Sequence, residues 1–366
     1  MGVDPAAANL SAVQIAAGGF PVGLDPRGRI IFPDEALADQ GDAWATKMRQ
    51  PPWHPESARF ARISAGLSGL AALTHDGQVY YLNNSDAVPP NPPVRGLLPF
   101  PAEAAIIDVA MGFDFVVGCS QAGLVYAVRI VRRPLGGGYL EEVAQTEAVE
   151  LPGAARAVAV AAGYSHCAAL DSDGLIHTWG SNKSGQLGDG TRTNRDSPGR
   201  ATAFPENDPA VEVHASRACT TVVTASGRVL QVGALIAERR RAAPTLQACP
   251  GARAPGFPRG TRVTTMAVGE GHCLALVDDG AVYAWGDNGA WQLGCDAQVR
   301  WSARPRLVSG LPSDRQVAQL AAGTQFSLAL AADGSACAWG WNEEGYLGIR
   351  SGGDYQRRPA RVHWTT

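Results

Sequence analysis

The stretch with the clearest chemical potential runs from Gly163 to Gly190 and reads GYSHCAALDSDGLIHTWGSNKSGQLGDG. It combines two histidines, three aspartates and a loop studded with glycine. Such loops cradle phosphate when their backbone N–H groups converge at the start of a helix. Here the loop lacks the Gly-Lys-Ser/Thr ending that a phosphate site needs, and no helical periodicity follows it. Its glycines therefore read as backbone requirements of a tight crossing between strands. The chain also has no Gly-x-Ser-x-Gly elbow and no His-Glu-x-x-His pair. His54, His75, His177, His214 and His363 stand at unrelated positions. No catalytic residue, metal site or cofactor is expected, and the chain is not read as an enzyme.

What positions these residues is a repeat. AAGYSHCAALDSDGLIHTWGSNKSGQLG (161–188) aligns with AVGEGHCLALVDDGAVYAWGDNGAWQLG (267–294) and AAGTQFSLALAADGSACAWGWNEEGYLG (321–348). Looser copies lie at 64–82, 110–128, 214–232 and 16–32, the last one residue short in its first loop. Turn glycines Gly28, Gly77, Gly123, Gly174, Gly227, Gly280 and Gly334 mark seven copies spaced 46–54 residues apart. Each copy reads as a small, β-branched strand, a short loop, a second strand, an Asp-Gly or similar turn, and a third strand. Pieces such as ARPRLV (303–308) supply an outer strand. Three or four antiparallel strands per unit and no long helix predict an all-β, seven-bladed β-propeller over 12–366, after a lead-in at 1–11. The small residues of the AAG segments suit inner strands crowded around a central channel.

Trp179, Trp285 and Trp339 recur at one repeat position and are expected to anchor blade packing. His166 and His272 recur likewise and read as structural hydrogen-bonding residues. Two insertions break the grid. Residues 132–152 carry a triple glycine, and 234–260 carry Arg239, Arg240 and Arg241. The long segment 34–60 reads as an outer strand of the first blade or as a docking loop. Either terminus can complete a blade, and the apolar ARVHW at 360–364 favours the C-terminal strand.

The composition narrows the partners. A net charge of −3 over 366 residues does not fit strong nonspecific binding to nucleic acid, so direct nucleic-acid contact is not expected. No run approaches the roughly 18–20 apolar residues of a membrane helix. The first thirty residues resemble neither a secretory signal nor a transit peptide, so an intracellular location, cytoplasmic or nuclear, is expected. Seven cysteines without a Cys-x-x-Cys pair read as reduced and mostly buried.

The pattern AAGxxHxxAL…DGxxxxWGxNxxGQLG resembles the regulator of chromosome condensation repeat, a family of seven-bladed propellers. Three copies match closely and four partly, covering nearly all of the chain. The resemblance implies a protein partner, either a small GTPase or a subunit of a larger assembly. It singles out the loops after the AAG strands, which contact and act on the GTPase Ran in the founding member. In related secreted propellers, aromatics of these loops grip a β-lactamase. The family's Gly-Asp-Ser-His loop reads Gly163-Tyr164-Ser165-His166 and Gly269-Glu270-Gly271-His272 here.

Those loops also differ most between copies: Gly19-Phe20, Leu67-Ser68, Phe113-Asp114, Tyr164-Ser165, Arg217-Ala218, Glu270-Gly271 and Thr324-Gln325. Positions that set the fold repeat, whereas positions that serve a partner are free to vary. The expected partner-binding set is Phe20, Phe113, Asp114, Tyr164, Arg217, Glu270 and Gln325. Carried over by position from the resemblance, Asp114 and Glu270 are the candidates for an exchange factor's carboxylate. The competing site is the face assigned to the Gly-Gln-Leu loops and the 234–260 insertion, taken to lie opposite, with Arg239–Arg241. The function expected is an intracellular scaffold or adaptor, with guanine-nucleotide exchange on a Ran-like GTPase as the alternative.

Overall fold

The structure is a computed structural model that describes residues 12–33, 57–66, 69–83, 95–136, 139–235, 260–295, 299–312, 316–349 and 353–365, with Pro55 and Phe257. Seven antiparallel sheets follow one another along the chain and form a seven-bladed β-propeller. Blade 4 is representative. Its inner strand Ala157–Ala162 pairs with Ala-rich His166–Asp171, which pairs with Ile176–Gly180, which pairs with the outer strand Arg195–Arg200. The second strands Gly69–Thr74, His166–Asp171, Cys219–Thr224 and His272–Val277 are buried along their whole length. A strand in mid-blade is covered on both faces by the neighbouring blades. Its sequence is therefore continuously small or apolar instead of alternating.

The core is divided accordingly. Each of seven hydrophobic clusters lies between two consecutive blades, such as Leu274, Val282, Leu293, Leu320 and Trp339 between blades 6 and 7. Turn glycines sit at the far end of the blades with positive φ, 72° at Gly28 and 79° at Gly174. Their carbonyls accept from the next inner strand, as in Phe60 N to Gly28 O (2.8 Å) and Ala210 N to Gly174 O (3.0 Å).

The inner strands of blades 2 to 7 bulge at one equivalent point, between Phe60 and Arg62, Ile106 and Asp108, Ala157 and Ala159, Ala210 and Glu212, Val263 and Thr265, and Val317 and Gln319. A bulge re-aims the side chain that follows it. Here that side chain often stitches one blade to the next. Asp108 accepts from Val160 N (3.0 Å), Glu212 from Met266 N (3.3 Å), and Gln319 clasps Ile15 through both N (3.0 Å) and O (3.1 Å). Asp108 also meets Arg62 Nε at 2.8 Å, and burial pushes its carboxyl upward against the pull of that guanidinium.

Two expectations about the ends and insertions are resolved. The outer strand of blade 1 is Trp364–Thr365, paired antiparallel with Ile30–Pro33, so the C-terminal strand closes the ring. Of the segment 34–60, expected as an outer strand of the first blade or a docking loop, residues 57–60 lead into the inner strand of blade 2, Phe60–Ala65, and the rest apart from Pro55 lies outside the described residues. The 132–152 insertion is an extension of blade 3, where Val125–Gly136 and Tyr139–Val149 form a long two-stranded ribbon.

Candidate protein-interaction face

The loops between inner and second strands meet at one mouth of the channel because the glycines ahead of them let adjacent blades touch. A Cβ at Gly163 would stand 2.2 Å from Ser216 O, and one at Gly18 would stand 2.3 Å from Gly66 O. Backbone bonds link these loops around the ring: Gly19 N to Gly66 O (3.0 Å), Glu270 N to Gly323 O (3.2 Å) and Thr324 N to Gly18 O (3.1 Å). The mouth is thus a narrow, rigid rim that projects one or two side chains per blade.

Four of those side chains join across four consecutive blades. Phe113 of blade 3 stacks on Tyr164 of blade 4, with ring centroids 4.3 Å apart and planes 22° from parallel. The Arg217 guanidinium of blade 5 lies 5.1 Å from the Tyr164 ring centre and forms an ion pair with Glu270 of blade 6. Phe113 remains 40% exposed. The Arg217 side chain is 44% exposed, against 18% for Glu270, so the carboxylate is mostly covered while the guanidinium faces water. The result is an aromatic and cationic platform already held in place. Asp114 is exposed beside it, and its carboxylate has no partner among the described residues. Gln325 is exposed on the same rim.

Phe20 is a correction. The missing loop residue of the first repeat shifts Phe20 into the place of His166, immediately before the second strand Pro21–Leu24. Gly18 N bonds Phe20 O as Gly163 N bonds His166 O. Phe20 is 0% exposed in the cluster between blades 1 and 2 and cannot reach a partner. Leu67, Ser68 and Arg239–Arg241 lie outside the described residues.

The placement of the Gly-Gln-Leu loops on the opposite face is also corrected. A third strand runs back toward the beginning of the second, so its following loop emerges at the same end. Ser181 N bonds Ser165 O (2.8 Å), Asp287 N bonds Gly271 O (2.8 Å) and Trp341 N bonds Gln325 O (3.0 Å). The 234–260 insertion leaves from this end too, with Ala234 N on Ala218 O (2.9 Å). One face carries both loop sets.

Five backbone N–H groups of the glycine loop, those of Asn182, Ser184, Gly185, Leu187 and Gly188, are already paired. Asn182 Oδ1 accepts from Leu187 N (3.0 Å), Gln186 Oε1 from Ser184 N (2.9 Å), and Gly185 N donates to Asn182 O (2.9 Å). Behind it, His166 Nε2 meets Thr220 Oγ1 of the next blade (3.0 Å), whose hydroxyl donates to Gln186 O (2.8 Å). His272, Ser327 and Gln292 O repeat the relay at 2.8 Å and 2.8 Å. A hydroxyl whose proton is committed accepts with its lone pair, so each histidine carries its proton on Nε2. Burial lowers His166 to about 4 and His272 to about 3, and both rings are neutral at pH 7. His177 bonds Asp171 (2.7 Å) and His214 bonds Glu212 (3.1 Å), in separate places. Among the described residues no cluster of His, Cys, Asp or Glu could hold a metal ion.

Sequence reasoning missed Trp291. It stands where the sister loops have Gly185 and Gly345, and at φ 67° it takes their left-handed backbone. Aligning the three loops residue by residue would have exposed it.

The description "Regulator of chromosome condensation (RCC1) repeat" belongs to two family models that match here, one at 157–186, 263–290 and 317–345, the other at 173–223 and 279–330. Human E3 ubiquitin-protein ligase HERC2 is 32% identical over 215 residues, 56% of this chain and 4% of that protein. The ultraviolet-B receptor UVR8 of Arabidopsis thaliana is 28% identical over 268 residues, 71% of this chain and 58% of the receptor. The chain thus spans less than two thirds of either relative. Yeast RCC1 (Prp20), solved bound to Kap60, superposes with a TM-score of 0.68 at 17% identity over 98% of this chain and 86% of that one. A second structure of Prp20p, from Saccharomyces cerevisiae, gives 0.66 at 18% identity over 96% and 87%, and was reported together with its binding to Gsp1p and histones.

Proposed function

Because this chain is a seven-bladed propeller carrying regulator of chromosome condensation (RCC1) repeats, we propose that it is a protein-interaction module whose partner docks on the channel mouth. The observation that carries this reading is the Phe113–Tyr164–Arg217–Glu270 ladder. Binding energy concentrates in aromatic and arginine side chains that are held before the partner arrives, because little rotamer freedom is then lost. The likeness to Prp20, reported with protein partners, supports a protein as the ligand. In this reading the chain is a scaffold or adaptor and performs no bond chemistry itself. It works inside the cell, which agrees with six free cysteines among the described residues.

A second reading, nucleotide exchange on a Ran-like GTPase, is favoured by one feature. Glu270 is occupied by Arg217, which leaves Asp114 as the exposed carboxylate of the platform. Phe113→Ala combined with Tyr164→Ala should abolish recovery of the partner from the native cell without shifting the melting temperature. Asp114→Ala separates the readings. A scaffold should lose at most a few-fold in affinity, whereas an exchange factor should lose nucleotide release on a GTPase panel far more than binding. Full recovery of the partner by the double aromatic variant would remove the channel mouth as the docking site.

A further inference from the structure

The loop after the third strand reads NKSGQLG from Asn182, NGAWQLG from Asn288 and NEEGYLG from Asn342. Its fourth residue is left-handed in all three: Gly185 at φ 78°, Trp291 at φ 67° and Gly345 at φ 72°. Glycine adopts this conformation without penalty, while a Cβ crowds the neighbouring carbonyl. The loop does not need an indole to close. The turn bond from Trp291 N to Asn288 O (3.2 Å) is made equally by Gly185 and Gly345. Trp291 is not a core residue either, being half-buried and outside the clusters between blades. Strain kept at such a position points to a role on the surface.

That role is visible in what covers the ring. The Arg357 guanidinium, from the outer strand Tyr355–Arg361 of blade 7, lies 4.4 Å above the Trp291 ring centre. The outer-strand segments of blades 6 and 7 are strongly basic. Residues 300–307 and 355–361 hold six arginines and no aspartate or glutamate, in a chain of net charge −3. Arg300, Arg304, Arg306, Arg357 and Arg361 are exposed, with no acidic partner among the described residues. Blade 4 differs, since its outer-strand Arg195 and Arg200 pair with Asp189 and Glu206. The connection that leaves the outer strand of blade 6 reaches the outer strand of blade 7, a Cβ at Gly310 falling 3.7 Å from Arg358 Cβ.

We infer that the outer edge of blades 6 and 7 binds an acidic peptide segment, with Trp291 holding the Arg357 guanidinium ready for a carboxylate and the neighbouring arginines engaging further acidic side chains. A planar guanidinium fork matches a carboxylate in a two-point contact, and stacking on an indole leaves that fork's edge free. A short acidic segment meets only this local strip. A long nucleic acid would meet the field of the whole chain, whose net charge is negative. The site is separate from the channel-mouth ladder on blades 3 to 6.

The test is fluorescence polarisation of a labelled decaglutamate peptide at low salt, beside a single-stranded oligodeoxynucleotide of equal charge. The peptide should bind the full chain. Trp291→Gly, Arg357→Ala and Arg304→Ala should each weaken it about three- to tenfold. Arg200→Ala, with the same charge change on blade 4, and Phe113→Ala should leave peptide binding unchanged, so this site stands or falls apart from the channel mouth. Trp291→Gly should also raise the melting temperature, because the strain is relieved while the contact is lost. Equal peptide affinity across the set would overturn the proposal. So would a lower melting temperature for Trp291→Gly, which would make the indole a packing residue. Tighter binding of the oligonucleotide, lost in the same three variants, would reassign the strip to nucleic acid.

Discussion

His166 and His272 have the look of chemistry in the sequence, and their partners give them a structural task. Each ring passes a hydrogen bond to a hydroxyl of the next blade, which passes one back to a loop carbonyl of the histidine's blade. Desolvation lowers their folded pKa values to about 4 and about 3, below the ordinary value of 6.5. The unfolded chain therefore takes up these protons first. Their contribution is intact above about pH 6.5 and is lost as the pH falls from there toward 4 and 3, by roughly 3 kcal/mol for His166 and roughly 5 kcal/mol for His272. Urea unfolding across pH 7.5 to 4.5 should show this slope, flattened in the double variant His166→Gln, His272→Gln. An equal slope in both proteins would mean that the rings are not held neutral. Phe20 and Trp291 carry the opposite lesson. Their types were legible, but a one-residue deletion buried the first and a left-handed turn holds the second half-buried at the surface.

A blade is stable only as a wedge between two others, and the repeated tryptophans show why. Trp339 is 0% exposed in the cluster between blades 6 and 7, and its Nε1 donates to Gln292 O at 2.9 Å. That same carbonyl accepts from Ser327, so the indole and the histidine relay converge on one loop. Trp339→Ala should cost about 3–5 kcal/mol in denaturant unfolding, as truncation of a large buried aromatic does. A near-neutral midpoint would mean that the wedge repacks without it. Strand order within the blade was readable because turn glycines, β-branched runs and tryptophans keep one register. The inner-strand bulges were not, since a bulge is set by pairing and leaves no fixed residue signature.

Closure turns seven wedges into one ring. Trp364 pairs with Pro33 and Thr365 with Phe32, while Ala12 N bonds Gly334 O at 2.9 Å and Gln319 clasps Ile15. Val362 and Trp364 are buried in the cluster that joins blades 7 and 1. Deleting 362–366 leaves the outer strand of blade 7 in place but strips blade 1 of its edge. The loss should be at least about 3 kcal/mol, with aggregation at the bared strand Ile30–Pro33. Urea unfolding and light scattering check this, and an unchanged midpoint would show that closure lies elsewhere.

The sequence by itself determined the number of blades, their order and the residues that wedge them. These are local patterns repeated on one grid, and a repeat whose hydrophobic faces cannot be buried alone must stack. It also marked the loops that vary, and so most of the rim. Tertiary structure decided which of those residues meet. The stack of Phe113 on Tyr164 and the Arg217–Glu270 pair join residues about fifty apart in sequence, and only the radial arrangement of blades brings them together. It likewise decided that both loop sets share one face, because antiparallel pairing returns the third strand to the end where the second began. Placement of Arg357 over Trp291 is of the same kind, a contact between blades that no spacing within a repeat encodes.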